Sequence, residues 1–436
     1  MEKIKTEMKP QFVISCPFDT YSGYGARSRD VVKSIIESDK YEVILLAQRW
    51  GETPWGFCKD HPEWEFLLDY KHDPMKQATK QPEIWMQITI PNEFRPVGKY
   101  NIGCTAGIEA TSCKGEWVEG INRMNETWVS SQFAKNMFEG VKFEKRDKNS
   151  KQVIGELKVE KPINVIFEGV NTDLYKKISK PKSEGINLSS IKEQFCYLFV
   201  GHWMQGIHGH DRKNVGVLIK EFIDTFRNRS AMPALILKCS KGNNSYTSKE
   251  AILEQIQGYI REYKGHKIPN IYLLHGEFSD LEMNDLYNHP KIKSMVSFTK
   301  GEGYGRPLLE FSLTGKPIIA SGWSGHLDFL NPEFTTLVQG TLENIHPSAA
   351  NDWLQQEAQW FQVDAVYARE SLRSVYKDYK LKLSKGKRQA YFAKTNFSRD
   401  KMSELIDNHL TNVLPDFSHQ VKLKLPELKI PQLKKV

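Results

Sequence analysis

The stretch that decides the fold is "TKGEGYGRPLLEFSLTGKP", residues 299–317. A short apolar run, "MVSF", precedes it and another, "IIA", follows it. Between them lie a glycine loop and a helix. Pro307 suits the first helical position, where its missing N–H leaves nothing unpaired, and Gly315 followed by Pro317 stops the helix. The unit is strand, loop, helix, strand, the repeat of a parallel α/β sheet. Two glutamates mark it, Glu302 in the loop and Glu310 in the helix, with seven residues between them. The dipole near the helix N-terminus favours an ionised carboxylate, a pure acceptor suited to a pair of sugar hydroxyls. Gly301, Gly303 and Gly305 clear side chains away so that backbone N–H groups can reach a polar ligand. A plainer reading stays open, in which Glu310 caps the helix and Glu302 is solvated.

The same alternation extends both ways. "QFVISCPF", "YEVILLAQ", "EIWMQITI", "YNIGCTAGI", "NETWVSS" and "PINVIFEGV" read as strands of a first domain, with helices such as "DVVKSIIESD" and "SQFAKNMFEG". Residues 142–161 are lysine-rich and lack periodicity, which suits a surface hairpin or insertion. A second series runs through "FCYLFVG", "PALILKCS", "NIYLLHG", "SMVSF" and "KPIIAS", and residues 350–415 read as helical throughout. The expected class is α/β, two Rossmann-like doubly wound domains facing across a cleft. The expected division is 1–178, a linker 179–194, 195–385, helices over 386–415 that are candidates to pack back on the first domain, and a basic tail 416–436. Ligands of such sheets bind at the carboxyl ends of the strands, so the cleft is the expected site.

No uninterrupted apolar run approaches the roughly 20 residues that span a bilayer. The opening "MEKIKTEMKP" is too charged for a secretion signal. Six scattered cysteines without a CxxC pair point to reduced thiols in a cytoplasmic chain. Net charge is +8, and the last sixteen residues supply +4 of it through five lysines and one glutamate. Such a tail suits an anionic partner, whether nucleic acid, lipid or phosphorylated substrate, or serves solubility alone.

Three loops bear on chemistry. "GYGARS" places Gly23 and Gly25 after the first strand, with Ser28 in the third slot of a GxGxxG pattern. The second strand ends "LLAQRWG" without an acidic residue, which argues against NAD and leaves phosphate binding, close backbone approach or a plain tight turn. In "VGHWMQGIHGHDRKN", residues 200–214, Arg212 and Lys213 stand just before a helix. Such a pair can clamp a diphosphate, the guanidinium by a fork of donors and the ammonium as a point charge; a solvated charged loop is the alternative. His208 and His210, two apart in a flexible loop, are weak metal ligands, and no metal is assigned. DxD, GxxxxGK[ST] and GxSxG patterns are absent from the sequence.

As an ordered series, these pieces resemble the retaining GT-B glycosyltransferases of family 4. The resemblance rests on "GYGAR", "MNETWVSSQFAKNMF", "VIFEGVNTDLY", "FVGHWMQGIHGHDRKNVGVLIKEF", "YLLHGEFSDLEMNDLY", the E-x7-E segment "EGYGRPLLE" and "GKPIIASGWSG", over roughly residues 12–340. It implies a nucleotide-sugar donor, with Glu310 on the ribose hydroxyls, Glu302 on the sugar, and Arg212 and Lys213 on the departing diphosphate. It further implies donor contacts from Gly23, Gly25, His202, Gly303, Tyr304, Gly305 and Arg306, and a base near Gly276 to Phe278. Glu109 and Asn92 fall on the acceptor or sugar side. Neither metal nor cofactor is implied, and retention follows a front-face route. Three positions depart from the family. His202 and Ala106 stand where it tends to have arginine and histidine, and Arg306 stands where an apolar residue is usual. A GT-B epimerase or phosphorylase, or an inactive module that binds glycans or nucleic acid, are the competing readings. Fold and donor motifs do not encode the acceptor, which could be polysaccharide, lipid, protein or DNA.

Overall fold

The computed structural model describes residues 9–73, 75, 80–147, 149–150, 152–179, 185–206, 209–242 and 244–417. His208, the linker residues 180–184 and the basic tail from 418 lie outside the described residues.

The first domain contains strands β1 (Gln11–Cys16), β2 (Glu42–Ala47), β3 (Ile84–Ile88), β4 (Tyr100–Thr105) and β5 (Glu126–Val129), a hairpin of β6 (Phe143–Arg146) and β7 (Val153–Leu157), and β8 (Ile163–Val165). Its helices are α1 (Gly23–Glu37), α2 (Phe57–Asp60), α3 (Gly115–Arg123) and α4 (Gln132–Gly140). Six strands pair in the order β2-β1-β3-β4-β5-β8, all parallel. Every residue of β3 is buried, as a strand covered by helices on both faces requires. The lysine-rich insertion is the antiparallel β6–β7 hairpin, largely exposed.

The second domain contains β9 (Cys196–His202), β10 (Ala234–Ser240), β11 (Ile271–Leu274), β12 (Ile292–Ser297), β13 (Ile318–Ser321), β14 (Thr336–Val338) and a hairpin of β15 (Gly340–Asn344) and β16 (Gln359–Val363). Its helices are α5 (Val215–Phe226), α6 (Tyr246–Arg261), α7 (Asp280–Asn288), α8 (Arg306–Ser312), α9 (Ala365–Lys377) and α10 (Tyr379–Asn396). The parallel order is β11-β10-β9-β12-β13-β14. The chain steps outward from β9 to β11, then returns to the other side of β9 with β12. Loops leaving the carboxyl ends of β9 and β12 therefore diverge, and the crevice between them is the ligand position of a doubly wound sheet. Residues 203–206 and 209–214 belong to the first of those loops, and residues 298–305 are the second.

Two features differ from the sequence reading. Residues 359–363 are a strand, not helix: β16 buries Trp360, Phe361 and Val363 and pairs with β15 across an intervening segment, a non-local contact that helical periodicity does not register. Helix α1 begins at Gly23 under a Ser22 cap, whose hydroxyl accepts from Gly25 N, so both glycines lie in the first helical turn rather than in a loop.

Leu188 and Ile191, at the end of the polar connecting segment, are buried in the second-domain core. Residue 385 falls inside α10, which packs on α8. The chain then crosses back, and α11 (Arg399–Val413) buries Met402, Ile406 and Leu410 in the first-domain core beside Ile35. The two crossings touch. Val170 N donates to Phe397 O and Arg399 N to Val170 O, each at 2.9 Å. A Cβ on Gly169 would stand 2.6 Å from Arg399 Cα, so only glycine admits this approach.

Candidate active site

The cation loop turns through Asn214 at φ 57°, a left-handed conformation that asparagine tolerates, and α5 starts one residue later. The turn sets Arg212 and Lys213 side by side at the crevice. Lys213 Nζ lies 2.5 Å from Glu302 Oε1, and Arg212 Nη1 lies 3.4 Å from Glu302 Oε2 and 3.1 Å from Glu109 Oε1. Arg212 also donates to Gly301 O at 2.8 Å. Burial pushes the Glu302 carboxyl up, but Lys213 and Arg212 more than reverse this and hold it at about 2. His202, at the end of β9, places Nδ1 2.8 Å from Ser240 Oγ. Burial, with Lys213 and Arg212 adding repulsion, pushes the imidazole down to about 4, so it is neutral at pH 7.

The loop after β12 is held by its backbone. Glu302 N donates to Ser324 Oγ and Gly325 N to Glu302 O, both at 2.9 Å. Gly305, at φ 103°, makes the turn into α8. The other two glycines have a different use from the one expected. A Cβ on Gly301 would meet Glu109 O at 2.3 Å, and one on Gly303 would meet Ala106 O at 2.8 Å. First-domain backbone fills the space they leave, so these glycines set how closely the domains approach. Ser131 Oγ donates to Gly303 O at 2.7 Å and Gln132 N to Asp328 Oδ2 at 2.8 Å, closing the same seam. Gly301→Val is therefore expected to hold the domains apart, read as a larger radius of gyration in small-angle scattering with circular dichroism unchanged. An unchanged radius would show that the loop yields locally instead.

Glu310 is not the freely ionised carboxylate that the helix dipole suggests. α8 is only seven residues long, and Glu310 is largely buried. Tyr287 Oη donates to it at 3.3 Å, and Arg306 Nε is 3.8 Å away. Burial pushes its carboxyl up to about 7, with Asp280 and Asp30 adding to the rise and Arg306 only partly opposing it. The folded chain thus keeps a proton that the unfolded chain, with its ordinary value of 4.5, has released. This group's contribution is fully present below 4.5 and is lost as pH rises through 7, a change of about 3 kcal/mol. Denaturant unfolding at a series of pH values should show that slope in the native chain and lose it in Glu310→Gln; identical slopes would refute it.

Arg306 has an explanation that sequence could not supply. Its Nη1 is 2.7 Å from Asp30 Oδ2 in α1 and 3.5 Å from Glu168 Oε2 beyond β8. Arg399 Nη2 meets the other Asp30 oxygen at 3.0 Å, and Ser130 Oγ donates to Glu168 at 2.9 Å. Burial pushes Asp30 up, but Arg306 and Arg399 reverse this and hold its carboxyl below the ordinary range.

The remaining candidates divide. Gly276, at φ 134°, accepts from Lys238 Nζ at 2.8 Å, and the ammonium lies 4.6 Å from the Phe278 ring centre, so this corner is assembled. Glu109 joins the cation pair, as above. Tyr304 turns its ring into the core against Phe329, leaving only its backbone for a ligand. Gly25 makes its close approach to Thr20 and Pro17 of its own loop. Asn92 is set against α3, its carbonyl accepting from Arg123 Nη2 at 2.8 Å, and the structure does not bring it to the cations. Among the described residues, no group of three or more His, Cys, Asp or Glu is arranged to hold a metal ion, and no helix is long and apolar enough to cross a membrane. All six cysteines are free and buried.

Two six-stranded parallel sheets across a cleft, with the last helix returned to the first domain, define the GT-B fold. Among solved structures of that fold, a Rickettsia africae glycosyltransferase superposes with a TM-score of 0.58 at 14% identity, over 93% of this chain and 99% of its own. Sucrose-phosphate synthase from Thermosynechococcus elongatus gives 0.60 at 11%, over 92% and 98%. Anabaena HepE in complex with UDP-glucose gives 0.57 at 12%, over 92% and 99%. No family model matches the chain, and no curated protein matches it.

Proposed function

We propose that the chain is a retaining, metal-independent glycosyltransferase of the family 4 kind, which moves a sugar from a nucleoside diphosphate to an acceptor hydroxyl. The observation that carries this is the cation pair Arg212–Lys213 at the crevice of the second sheet, facing Glu302 with Glu310 on the adjoining helix. HepE, which shares the fold, binds UDP-glucose. In the reaction the bond from the anomeric carbon to the diphosphate oxygen breaks, and its electron pair leaves on the diphosphate. The acceptor oxygen bonds to the same face of that carbon, and its proton passes to the departing phosphate oxygen. Arg212 and Lys213 stabilise the charge that develops there, exchanging part of their pairing with Glu302 for the phosphate. Glu302 then turns to the sugar hydroxyls, Glu310 pairs with the ribose hydroxyls, and the Gly276–Phe278 corner takes the base.

A thermal-shift screen of nucleotide sugars tests this directly. The matching donor, at about 100 times its Kd, should add about 2.7 kcal/mol of stability. Transfer should persist in EDTA, and proton NMR should show the donor unchanged until acceptor is added. If no nucleotide or nucleotide sugar raises the melting temperature, the proposal fails; donor isomerised without acceptor would make the chain an epimerase.

A further inference from the structure

The positive charge has a second source besides the tail. Helix α10 carries Lys380, Lys382, Lys385, Lys387, Arg388 and Lys394 and no acidic residue, +6 within eighteen residues. Gly386, Gln389 and Ala393 are its buried side. Lys380, Leu381, Lys387, Arg388, Tyr391 and Lys394 are exposed. At 3.6 residues per turn these fall on one stripe roughly 140° wide, along a helix about 27 Å long. None of the six cations forms an ion pair among the described residues. Lys382 donates to Thr336 Oγ1 at 3.3 Å, and Arg388 lies over the Phe334 ring. Asp378, at the junction with α9, is the acid that faces Lys382; burial and Lys385 together push that ammonium below its ordinary value all the same. A helix that concentrates like charge in this way is stabilised by an anionic partner.

Two further residues say which partner. Leu381 is 61% exposed and Tyr391 75% exposed, both on the cationic stripe. A leucine gains nothing against a sugar–phosphate backbone, whereas leucine and tyrosine on a basic face are what the headgroup region of a bilayer accepts. The stripe is also a convex helix surface rather than a groove that could track a strand.

We infer that the exposed face of α10 is a docking surface for an anionic lipid bilayer, with Lys380, Lys387, Arg388 and Lys394 on headgroup phosphates and Leu381 and Tyr391 in the headgroup–acyl boundary. This surface lies outside the cleft and does not depend on the transferase reading.

Flotation of the full chain with vesicles tests it. Binding is expected to phosphatidylcholine vesicles containing phosphatidylglycerol, not to phosphatidylcholine alone, and to be lost at high salt. Lys387→Glu with Lys394→Glu should weaken binding at least tenfold, each charge near the surface counting for about fivefold. Leu381→Ser with Tyr391→Ser should weaken it several-fold with no change of charge. All four positions are exposed, so the melting temperatures should match the native chain. Both double variants floating like the native chain would overturn the inference and leave the tail as the binder. So would equal binding to neutral vesicles. Double-stranded DNA that displaces the vesicles, with the Leu381/Tyr391 variant unaffected, would overturn it in favour of nucleic acid.

Discussion

Replacing Lys213 with alanine is expected to lower kcat for sugar transfer about 10²–10³-fold, or about 3–4 kcal/mol of transition-state stabilisation. The size follows from the setting. Lys213 is 13% exposed, so its charge acts in a site where water screens it little. On the transferase reading the donor diphosphate is already charged and one further negative charge develops as its bond to the sugar breaks, so the loss should be shared between KM and kcat, with the part owed to the developing charge on kcat. The same substitution leaves Glu302 with Arg212 alone, at 3.4 Å, and its carboxyl should rise from about 2. Stability conferred by that ion pair, present above the ordinary 4.5 and lost as pH falls through 2, should shrink accordingly. Lys213→Arg keeps the charge and should recover part of the rate. Steady-state kinetics with the donor found in the thermal screen decide the matter; a kcat within threefold of native would remove Lys213 from the chemistry.

Arg306→Ala should be the most destabilising single substitution in the cleft, by about 3–5 kcal/mol. Asp30 is 2% exposed on its side chain and would keep Arg399 alone, and Glu168 would lose its nearest cation. The cost comes from stranded carboxylates, not from a missing attraction, and this separates it from loss of a surface pair. Arg306→Met combined with Asp30→Asn removes both charges at 2.7 Å and should regain much of the stability. Denaturant titration of the two variants and the double mutant supplies the cycle. A loss below about 1 kcal/mol for Arg306→Ala would mean that the pair behaves as a solvated one.

What the sequence shows and hides here follows from the range of the interactions. Pro307, Gly315 and the apolar runs around them are local signals, and β12, α8 and β13 lie where those signals put them. Arg212 and Lys213 were legible as a pair for the same reason: they are adjacent, and a helix starts beside them. Arg306 was not, because its partners Asp30 and Glu168 are 276 and 138 residues away. Gly301 and Gly303 were recognised as sites of close approach, but what approaches is first-domain backbone, again a non-local fact. For Glu310 the helix dipole and burial pull in opposite directions, and only the dipole can be read from the sequence. The cations of α10 escape a reading that looks for charge at the tail, and their sorting onto one face needs the helix bounds.

The paired crossings at Val170 and Ser398 have a mechanical consequence. A single covalent strand between two domains permits bending and twisting alike. Here two strands run side by side, joined by two hydrogen bonds of 2.9 Å and held at a spacing that Gly169 alone allows. The plies hold each other's place, because neither crossing can slide along the other without breaking both hydrogen bonds. This edge of the cleft is thereby a riveted seam rather than a loose tether.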